Sequence, residues 1–279
     1  MLKGIFNKIK KIWNVEQPAV KTSYSNNTDT YQNIIGKNDA ENLYLTGLKY
    51  HQGEGVKQDF VEAAKYYEKS ANLGFDVAQC ALAIMYLTDD YGFNVDYEKA
   101  LKYFKLAANQ GYAVALYNIG NMYYTGTGLS QNYSEALRYF KDAIKKDKSS
   151  ELTPKELPYI AESAFNVGMI YYAGYGVPID YKEASKWYAI AAAFHQPIAQ
   201  FNLGSMYYKG RGVQQNFSKA FELFTEAANQ DVTLAQCNLG IMYLKGEGCI
   251  ADKNVALKWL QIAAQKGDTL AKQYISLFF

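Results

Sequence analysis

The chain has 279 residues, of which 49% are hydrophobic, and this is enough to bury a sizeable core. Its 29 basic and 27 acidic residues give a formal net charge of +2, which offers no global argument for binding nucleic acid or an anionic surface. The three cysteines lie at irregular spacing, which argues against a disulfide framework, and no apolar run approaches the ~20 residues of a membrane-spanning helix.

The first residues predict a short basic amphipathic helix. Its apolar side chains recur at helical spacing between lysines and comprise Leu2, Ile5, Phe6, Ile9, Ile12 and Trp13. No continuous apolar stretch follows, so we do not expect a secretory signal peptide. Three interpretations are open: a membrane-surface anchor that uses Leu2, Ile5, Phe6, Ile9 and Trp13, a helix that docks on a partner or on the repeats, and a frayed end or cap. Residues 17–36 are rich in Ser, Thr and Asn and predict a flexible connector, so residues 1–38 would form a region of their own.

Six similar segments of about 36 residues follow, and each is centred on a glycine-rich turn. In five segments the turn has two glycines around one variable residue: Gly53-Glu54-Gly55, Gly126-Thr127-Gly128, Gly174-Tyr175-Gly176, Gly210-Arg211-Gly212 and Gly246-Glu247-Gly248. The second segment departs from this pattern and has Asp89-Asp90-Tyr91-Gly92. Paired glycines permit the positive φ angles that a sharp reversal of the chain requires, so a turn between two helices is predicted.

A helical pattern lies on each side of this turn. Before it, Leu203-Gly204-Ser205-Met206-Tyr207 is typical, and a glycine recurs at the same helical position as Gly120, Gly168, Gly204 and Gly240. Because a glycine inside a helix costs about 1 kcal/mol relative to alanine, its recurrence predicts a close approach of two helices. After the turn, an Asp or Asn such as Asp180 opens the second pattern as an N-cap, followed by alanines that flank an aromatic pair.

The pattern departs from regularity in two places. Residues 145–162 form an insertion after the third segment, and it predicts a loop followed by an extended helix capped by Thr153, Pro154 and Glu156. The insertion either carries specificity or is a tolerated loop elongation. Residues 271–279 predict a closing helix whose Tyr274, Leu277, Phe278 and Phe279 would cover the last segment.

The combined motif, Ala-x-x-x-Leu-Gly-x-x-Tyr-x-x-Gly-x-Gly-Val followed by Asp and Ala-x-x-Trp-Tyr-x-x-Ala-Ala, resembles the Sel-1-like repeat, a relative of the tetratricopeptide repeat. The resemblance covers about Asn42 to Leu270 and assigns residues 39–270 to the array. It implies an all-α fold, a right-handed α/α superhelical solenoid of about six helix-turn-helix repeats. Members of the family are scaffolds that bind protein or peptide on the inner surface, for example in protein degradation, cell-wall synthesis and bacterial interaction with a host.

Analogy with the tetratricopeptide arrangement places two columns of side chains in the concave groove. The fourth helical position supplies the amides of Asn118, Asn166, Asn202 and Asn238, and the tenth supplies the phenols of Tyr124, Tyr172 and Tyr208. Amides beside phenols could hydrogen-bond an extended peptide backbone while stacking on its side chains. The alternative is that both columns serve packing between helices.

Catalytic chemistry has little support in the sequence. The two histidines, His51 and His195, occupy different repeat positions, and we find no motif for a nucleophile, a metal site or a cofactor. His195 stands where other segments have glycine or aspartate, which indicates the end of a helix.

We therefore expect a non-enzymatic scaffold or adaptor that binds a protein or peptide partner rather than nucleic acid. We expect it to be cytoplasmic, with membrane association if the first helix is an anchor. The alternatives are an immunity-type inhibitor that masks one effector enzyme and, more remotely, a hydrolase.

Overall fold

The computed structural model describes residues 28–145 and 155–279, with the backbone alone over 28–38. Residues 40–279 form one compact unit, which is separate from the residues up to Asp39. In the described ranges the chain forms thirteen α-helices and no strand: α1 (Thr28–Gln52), α2 (Phe60–Asn72), α3 (Asp76–Leu87), α4 (Tyr97–Asn109), α5 (Ala113–Thr125), α6 (Tyr133–Ile144), α7 (Leu157–Ala173), α8 (Tyr181–Ala193), α9 (Pro197–Lys209), α10 (Phe217–Asn229), α11 (Thr233–Lys245), α12 (Lys253–Gln265) and α13 (Thr269–Phe278).

The helices pair into six repeats, and α13 follows the last of them. Repeats 1 to 6 consist of α1 and α2, α3 and α4, α5 and α6, α7 and α8, α9 and α10, and α11 and α12. From α2 onward, each helix packs mainly on the helices before and after it in the chain. The hydrophobic core is accordingly a series of small clusters, such as the one around Phe224, Leu239 and Met242, and not a single centre. The predicted all-α solenoid is confirmed.

An Asp or Asn N-cap opens the second helix of every repeat, as the sequence predicts. The side chain of Asp180 accepts a hydrogen bond from the backbone N–H of Glu183 at 2.8 Å, which satisfies one of the donors left free at a helix start. The equivalent caps are Asp59, Asp96, Asn132, Asn216 and Asp252. The caps fix where the chain leaves the turn, and so they position the first residue of each second helix.

The recurring glycine inside the first helix lies against an aromatic ring of the second. A Cβ atom at Gly120 would lie 2.7 Å from the Phe140 ring, and one at Gly168 would lie 2.7 Å from the Tyr188 ring. Both rings are almost fully buried, so neither has space to move aside. The predicted close approach is therefore confirmed, and helix packing offsets the conformational cost of the glycine.

Helix α1 corrects the predicted connector. It begins at Thr28, so the prediction of a flexible connector over residues 17–36 is wrong for residues 28–36. The low helix propensity of Ser, Thr and Asn costs only a few tenths of a kcal/mol per residue, and adding residues to an existing helix needs no new nucleation. Residues 1–27 lie outside the described part of the chain, so the membrane contact predicted for Leu2, Ile5, Phe6, Ile9 and Trp13 stays a prediction.

The insertion ends in the extended helix that the sequence predicts, but the helix begins at a different residue. Helix α7 has 17 residues where its counterparts α5, α9 and α11 have 13. Thr153 and Pro154 lie outside the described residues, and the helix starts at Leu157 with no side-chain cap from Glu156. The carboxylate of Glu156 instead lies 3.4 Å from the backbone N–H of Ala113, at the start of α5. The described helix thus begins at Leu157 and not at the predicted Pro154, while the hydrogen bonds predicted between Thr153 and Glu156 stay a prediction.

Helix α13 covers repeat 6 with fewer residues than predicted. Ala271 is fully buried, and Tyr274 and Ile275 pack on Cys237 and Leu260. The side chains of Leu277, Phe278 and Phe279 are 73%, 50% and 47% exposed, so the expectation that they cover the array is wrong. Within the ranges described above, no helix combines the length and the apolar character that crossing a membrane requires.

Candidate partner-binding surface

The seven predicted binding residues are all half-buried on the first helices of repeats 3 to 6. The asparagine amides are partly engaged within the protein. Asn118 donates to the carbonyl oxygen of Val114 in its own helix at 2.8 Å, and Asn166 donates to the side-chain oxygen of Asn121 in repeat 3 at 3.4 Å. Asn202 lies near the hydroxyl of the buried Tyr188, whose pKa is raised by burial. Packing thus accounts for part of the asparagine column, and Asn238 is half-buried at the equivalent position of α11.

The side chains of the tyrosine column, Tyr124, Tyr172 and Tyr208, contact the turn of the following repeat. The ring centroids of Tyr124 and Tyr175 lie 6.2 Å apart. The hydroxyl of Tyr172 accepts a hydrogen bond from Arg211 Nη1 at 2.8 Å, and the hydroxyl of Tyr208 donates to Glu247 Oε2 at 2.6 Å. Each tyrosine therefore contacts the residue between the two glycines of the next turn.

The first residue of each second helix completes these groups, which we call turn clusters. Each turn cluster has three members, one from the end of a first helix, one from the start of the second helix and one from the next turn. In the first of them, Tyr133 stacks on Tyr175 at 5.0 Å and contacts Tyr124 edge-on at 5.4 Å. The three clusters are Tyr124/Tyr133/Tyr175, Tyr172/Tyr181/Arg211 and Tyr208/Phe217/Glu247. These contacts hold the tyrosines in defined positions while leaving them partly open to solvent.

In the later repeats, a glycine with positive φ brings the turn against the preceding repeat. At Gly212 φ is +72°, and a Cβ atom there would collide with the backbone of Tyr181. The turn residue Arg211 is thereby placed next to the start of α8. Gly128, Gly212 and Gly248 are therefore required by the contact between repeats as well as by the turn itself, whereas Gly55 in the first turn has open space around it.

The three turn clusters differ in charge. The first is aromatic throughout, the second exposes the guanidinium of Arg211, and the third contains the carboxylate of Glu247. Lys245 lies 4.0 Å from Glu247, so this carboxylate has both a cation and the Tyr208 hydroxyl as partners. Burial, followed by the hydrogen bond to Glu247 and its negative charge, raises the pKa of Tyr208 to about 12. The same scaffold thus presents different chemistry at successive repeats.

Sequence reasoning found the tyrosines but missed their partners in the turns. The signal was present in the turn motif, where the residue between two glycines changes from Glu54 through Thr127, Tyr175 and Arg211 to Glu247. A variable residue within a fixed geometry indicates a place where side-chain chemistry is free to change without altering the fold. Its contact with the tyrosine of the preceding repeat could be recognised only once the repeats were stacked.

Among the described residues outside the turn clusters, the two histidines and the buried cysteines lie in different environments. His51 lies among aromatic rings, with Phe60 and Tyr91 each at 5.2 Å, and burial lowers its pKa. His195 has a φ of 59° at the end of α8, as its position in the repeat predicts. Burial raises the pKa of the free thiols of Cys80 and Cys237 to about 12, which makes them poor nucleophiles. Over the described residues, no three His, Cys, Asp or Glu side chains group closely enough to hold a metal ion.

Stacked helix-turn-helix repeats with a shared glycine turn define a tetratricopeptide-like α-solenoid. The model of the Sel1 repeat family matches six segments, residues 43–75, 76–112, 113–148, 161–193, 197–232 and 233–268, and the chain belongs to this family. Proteins built from Sel1 repeats generally mediate protein–protein interactions, and the family is generally non-enzymatic. No curated protein gives a significant match to the sequence.

Two solved structures of bacterial proteins have the same fold. A protective antigen present in uropathogenic Escherichia coli strains, described as displaying an SLR fold, is 29% identical with a TM-score of 0.78. That alignment covers 89% of this chain and 50% of the antigen's chain. A Sel1 repeat protein from Oxalobacter formigenes is 30% identical with a TM-score of 0.71, over 86% of this chain and 66% of the other. The chain therefore spans half of the first relative and about two thirds of the second.

Proposed function

We propose that this protein is a non-catalytic scaffold or adaptor that binds a protein or peptide partner through the first helices of repeats 3 to 6. The binding surface consists of the tyrosine column and the asparagine column beside it. The observation that carries the proposal is the set of turn clusters, in which Tyr124, Tyr172 and Tyr208 are each held by the following repeat.

Physical chemistry supports this use of the tyrosines. A half-buried tyrosine offers a large apolar face together with a polar group, which is the combination enriched at protein interfaces. Because the turn clusters already fix the rings, a partner does not have to order them, and the entropic cost of binding is reduced. The asparagines lie one helical turn or more away from the tyrosines, and a side-chain amide oxygen can accept a hydrogen bond from a peptide backbone.

The test is partner capture by a triple variant, Tyr124→Ala, Tyr172→Ala and Tyr208→Ala. The full-length chain, tagged and expressed in its own host, is purified with its partners, which are identified by mass spectrometry. We expect the triple variant to capture at least about tenfold less of the specific partner, because buried tyrosines in an interface are each worth on the order of 1–2 kcal/mol. Circular dichroism checks that helicity is retained.

The preceding residue of each tyrosine pair supplies a matched control. Tyr123, Tyr171 and Tyr207 lie beside the tyrosine column but pack towards the second helices, as the stacking of Tyr123 on Tyr139 at 5.7 Å illustrates. Their triple alanine variant removes the same atoms and should keep the partner. Equal capture by the wild type and the Tyr124, Tyr172 and Tyr208 variant would contradict the proposed surface.

A further inference from the structure

We propose that Arg211 is an anchor for a carboxylate of the bound partner, an Asp or Glu side chain within an extended peptide segment. The inference rests on the proposed function. It adds which chemical group of the partner is recognised and at which repeat that group binds. Arg211 is exposed in the turn between α9 and α10, and it makes no ion pair with any acidic residue in the described part of the chain.

The guanidinium of Arg211 is oriented before any partner binds. Its Nη1 donates to the hydroxyl of Tyr172 at 2.8 Å, and its Cζ atom lies 5.1 Å from the centre of the Tyr181 ring and 5.9 Å from that of Tyr172. A hydrogen bond and two aromatic rings therefore restrict a long side chain that would otherwise be free to rotate. A planar guanidinium fixed in this way loses less entropy when it forms a bidentate pair.

A second cation lies close to Arg211 in the chain. Lys209 is exposed at the end of α9, next to Gly210. Two acidic groups at the start of α8, on either side of the Tyr181 that contacts the guanidinium, are already engaged. Asp180 accepts from the Glu183 backbone, and Glu183 pairs with Lys186 at 2.6 Å. Glu247 in the next turn cluster is held by Tyr208 and Lys245.

A carboxylate is the ligand that fits this arrangement. Arginine has five N–H donors, and the structure uses one of them for Tyr172. The remaining donors can form the paired hydrogen bonds that a planar carboxylate accepts. A basic or neutral side chain at the same place would leave the positive charge without compensation. The tyrosine column on either side would contact the neighbouring residues of the same peptide segment.

The experiment is a selection of random peptides displayed on phage against the immobilised full-length chain. The wild type, Arg211→Gln and Arg211→Glu are used in parallel. We expect wild-type peptides to share an Asp or Glu at one fixed position relative to their aromatic residues. This preference should disappear with Arg211→Gln and should change to Lys or Arg with Arg211→Glu. Because Arg211 is exposed, thermal unfolding should show that the variants are folded.

Calorimetry on one selected peptide measures the contact itself. Replacing its acidic residue with Gln, or Arg211 with Gln, should each weaken binding about tenfold, and the two changes together should weaken it no further. Tyr172→Phe removes the acceptor that orients the guanidinium and should weaken the acidic peptide more than its Gln version. Tyr171→Phe is the matched control, because Tyr171 lies outside the tyrosine column and its hydroxyl contacts Lys141 instead, and it should weaken neither peptide selectively.

The outcomes separate the two proposals. Peptides that bind through the tyrosine column with no acidic residue in common, or whose acidic residue is equally preferred by Arg211→Gln, overturn the carboxylate anchor and leave the proposed function standing. A wild-type selection that enriches no peptide overturns the anchor and counts against the peptide-binding surface as well.

Discussion

Two successive tyrosines near the end of a first helix have different neighbours. Tyr123 stacks on Tyr139 of the same repeat at 5.7 Å, whereas Tyr124 contacts Tyr175 of the next repeat at 6.2 Å. Successive residues of a helix point about 100° apart, so one ring meets the second helix while the other meets the following turn. In repeat 3, a pair of identical residues therefore packs within the repeat and also joins it to the next.

The glycine at the centre of the first helix gives a prediction about stability. In Gly120→Ala the added Cβ atom would lie 2.7 Å from the buried Phe140 ring. Overpacking of this kind costs about 1–3 kcal/mol, and alanine regains about 1 kcal/mol of helix propensity, so we expect a net loss of up to about 2 kcal/mol. The change is measured as a lower urea midpoint.

An exposed position provides the control for this glycine. Ser134→Ala, in the first turn of α6, should change the free energy of unfolding by less than about 0.5 kcal/mol. A Gly120→Ala protein as stable as the wild type or more stable would show that the ring moves aside, and it would contradict a rigid contact between the two helices.

The roles of residues within a single repeat can be predicted from the sequence better than the contacts between repeats. The role of Gly120 could be predicted because glycine is costly within a helix and its recurrence needs a reason. The bond between Tyr172 and Arg211 could not, because the two residues are 39 positions apart and meet only when one repeat is stacked on the next. The sequence therefore predicts the tyrosines of the candidate surface but not the turn residues that contact them.

At the scale of helices, the Asp and Asn N-caps are the most regular local feature of the array. Asp180→Ala removes the acceptor for the Glu183 N–H and should lower the free energy of unfolding by about 1 kcal/mol. Asp180→Asn keeps an acceptor of the same shape and should cost no more than about half as much, since only the favourable charge at the helix start is lost. Urea titration of both variants measures the difference. Equal losses in the two would mean that charge, and not the hydrogen bond, accounts for the cap.

Helix boundaries are predicted well where a cap or a glycine defines them and poorly elsewhere. The second helices start at their predicted Asp or Asn residues because the capping hydrogen bond is local in sequence. The start of α7 at Leu157 has no side-chain cap hydrogen bond. Glu156, the residue before it, contacts Ala113 of another helix. Tertiary contacts thus decide the boundaries that local chemistry leaves open.

At the scale of the whole molecule, partly or fully buried tyrosines occur in almost every repeat. Their ionisation makes the stability of the fold depend on pH in the alkaline range. Burial raises the pKa of Tyr44, Tyr117 and Tyr124, and it raises that of Tyr208 to about 12. The buried thiols of Cys80 and Cys237 are shifted in the same direction. All of these groups therefore keep their protons to higher pH in the folded chain than in the unfolded chain.

The sign of the pH dependence follows from this difference in proton binding. An unfolded tyrosine titrates near pH ~10, so between about pH 10 and 12 the folded state holds more protons than the unfolded state. Unfolded thiols titrate near pH ~8.5, so stability is fully present only below about pH 8 and falls as the pH rises through the unfolded and then the folded pKa values. We expect the urea midpoint to stay constant up to about pH 8, to start to decrease near pH ~9 as the unfolded thiols ionise, and to decrease more steeply above pH ~10, together with the appearance of phenolate absorbance. Tyr208→Phe should reduce the steepness of this decrease, because one group with a pKa of about 12 is removed. A midpoint that stays unchanged to about pH 11 would contradict the burial of these hydroxyl groups across the array.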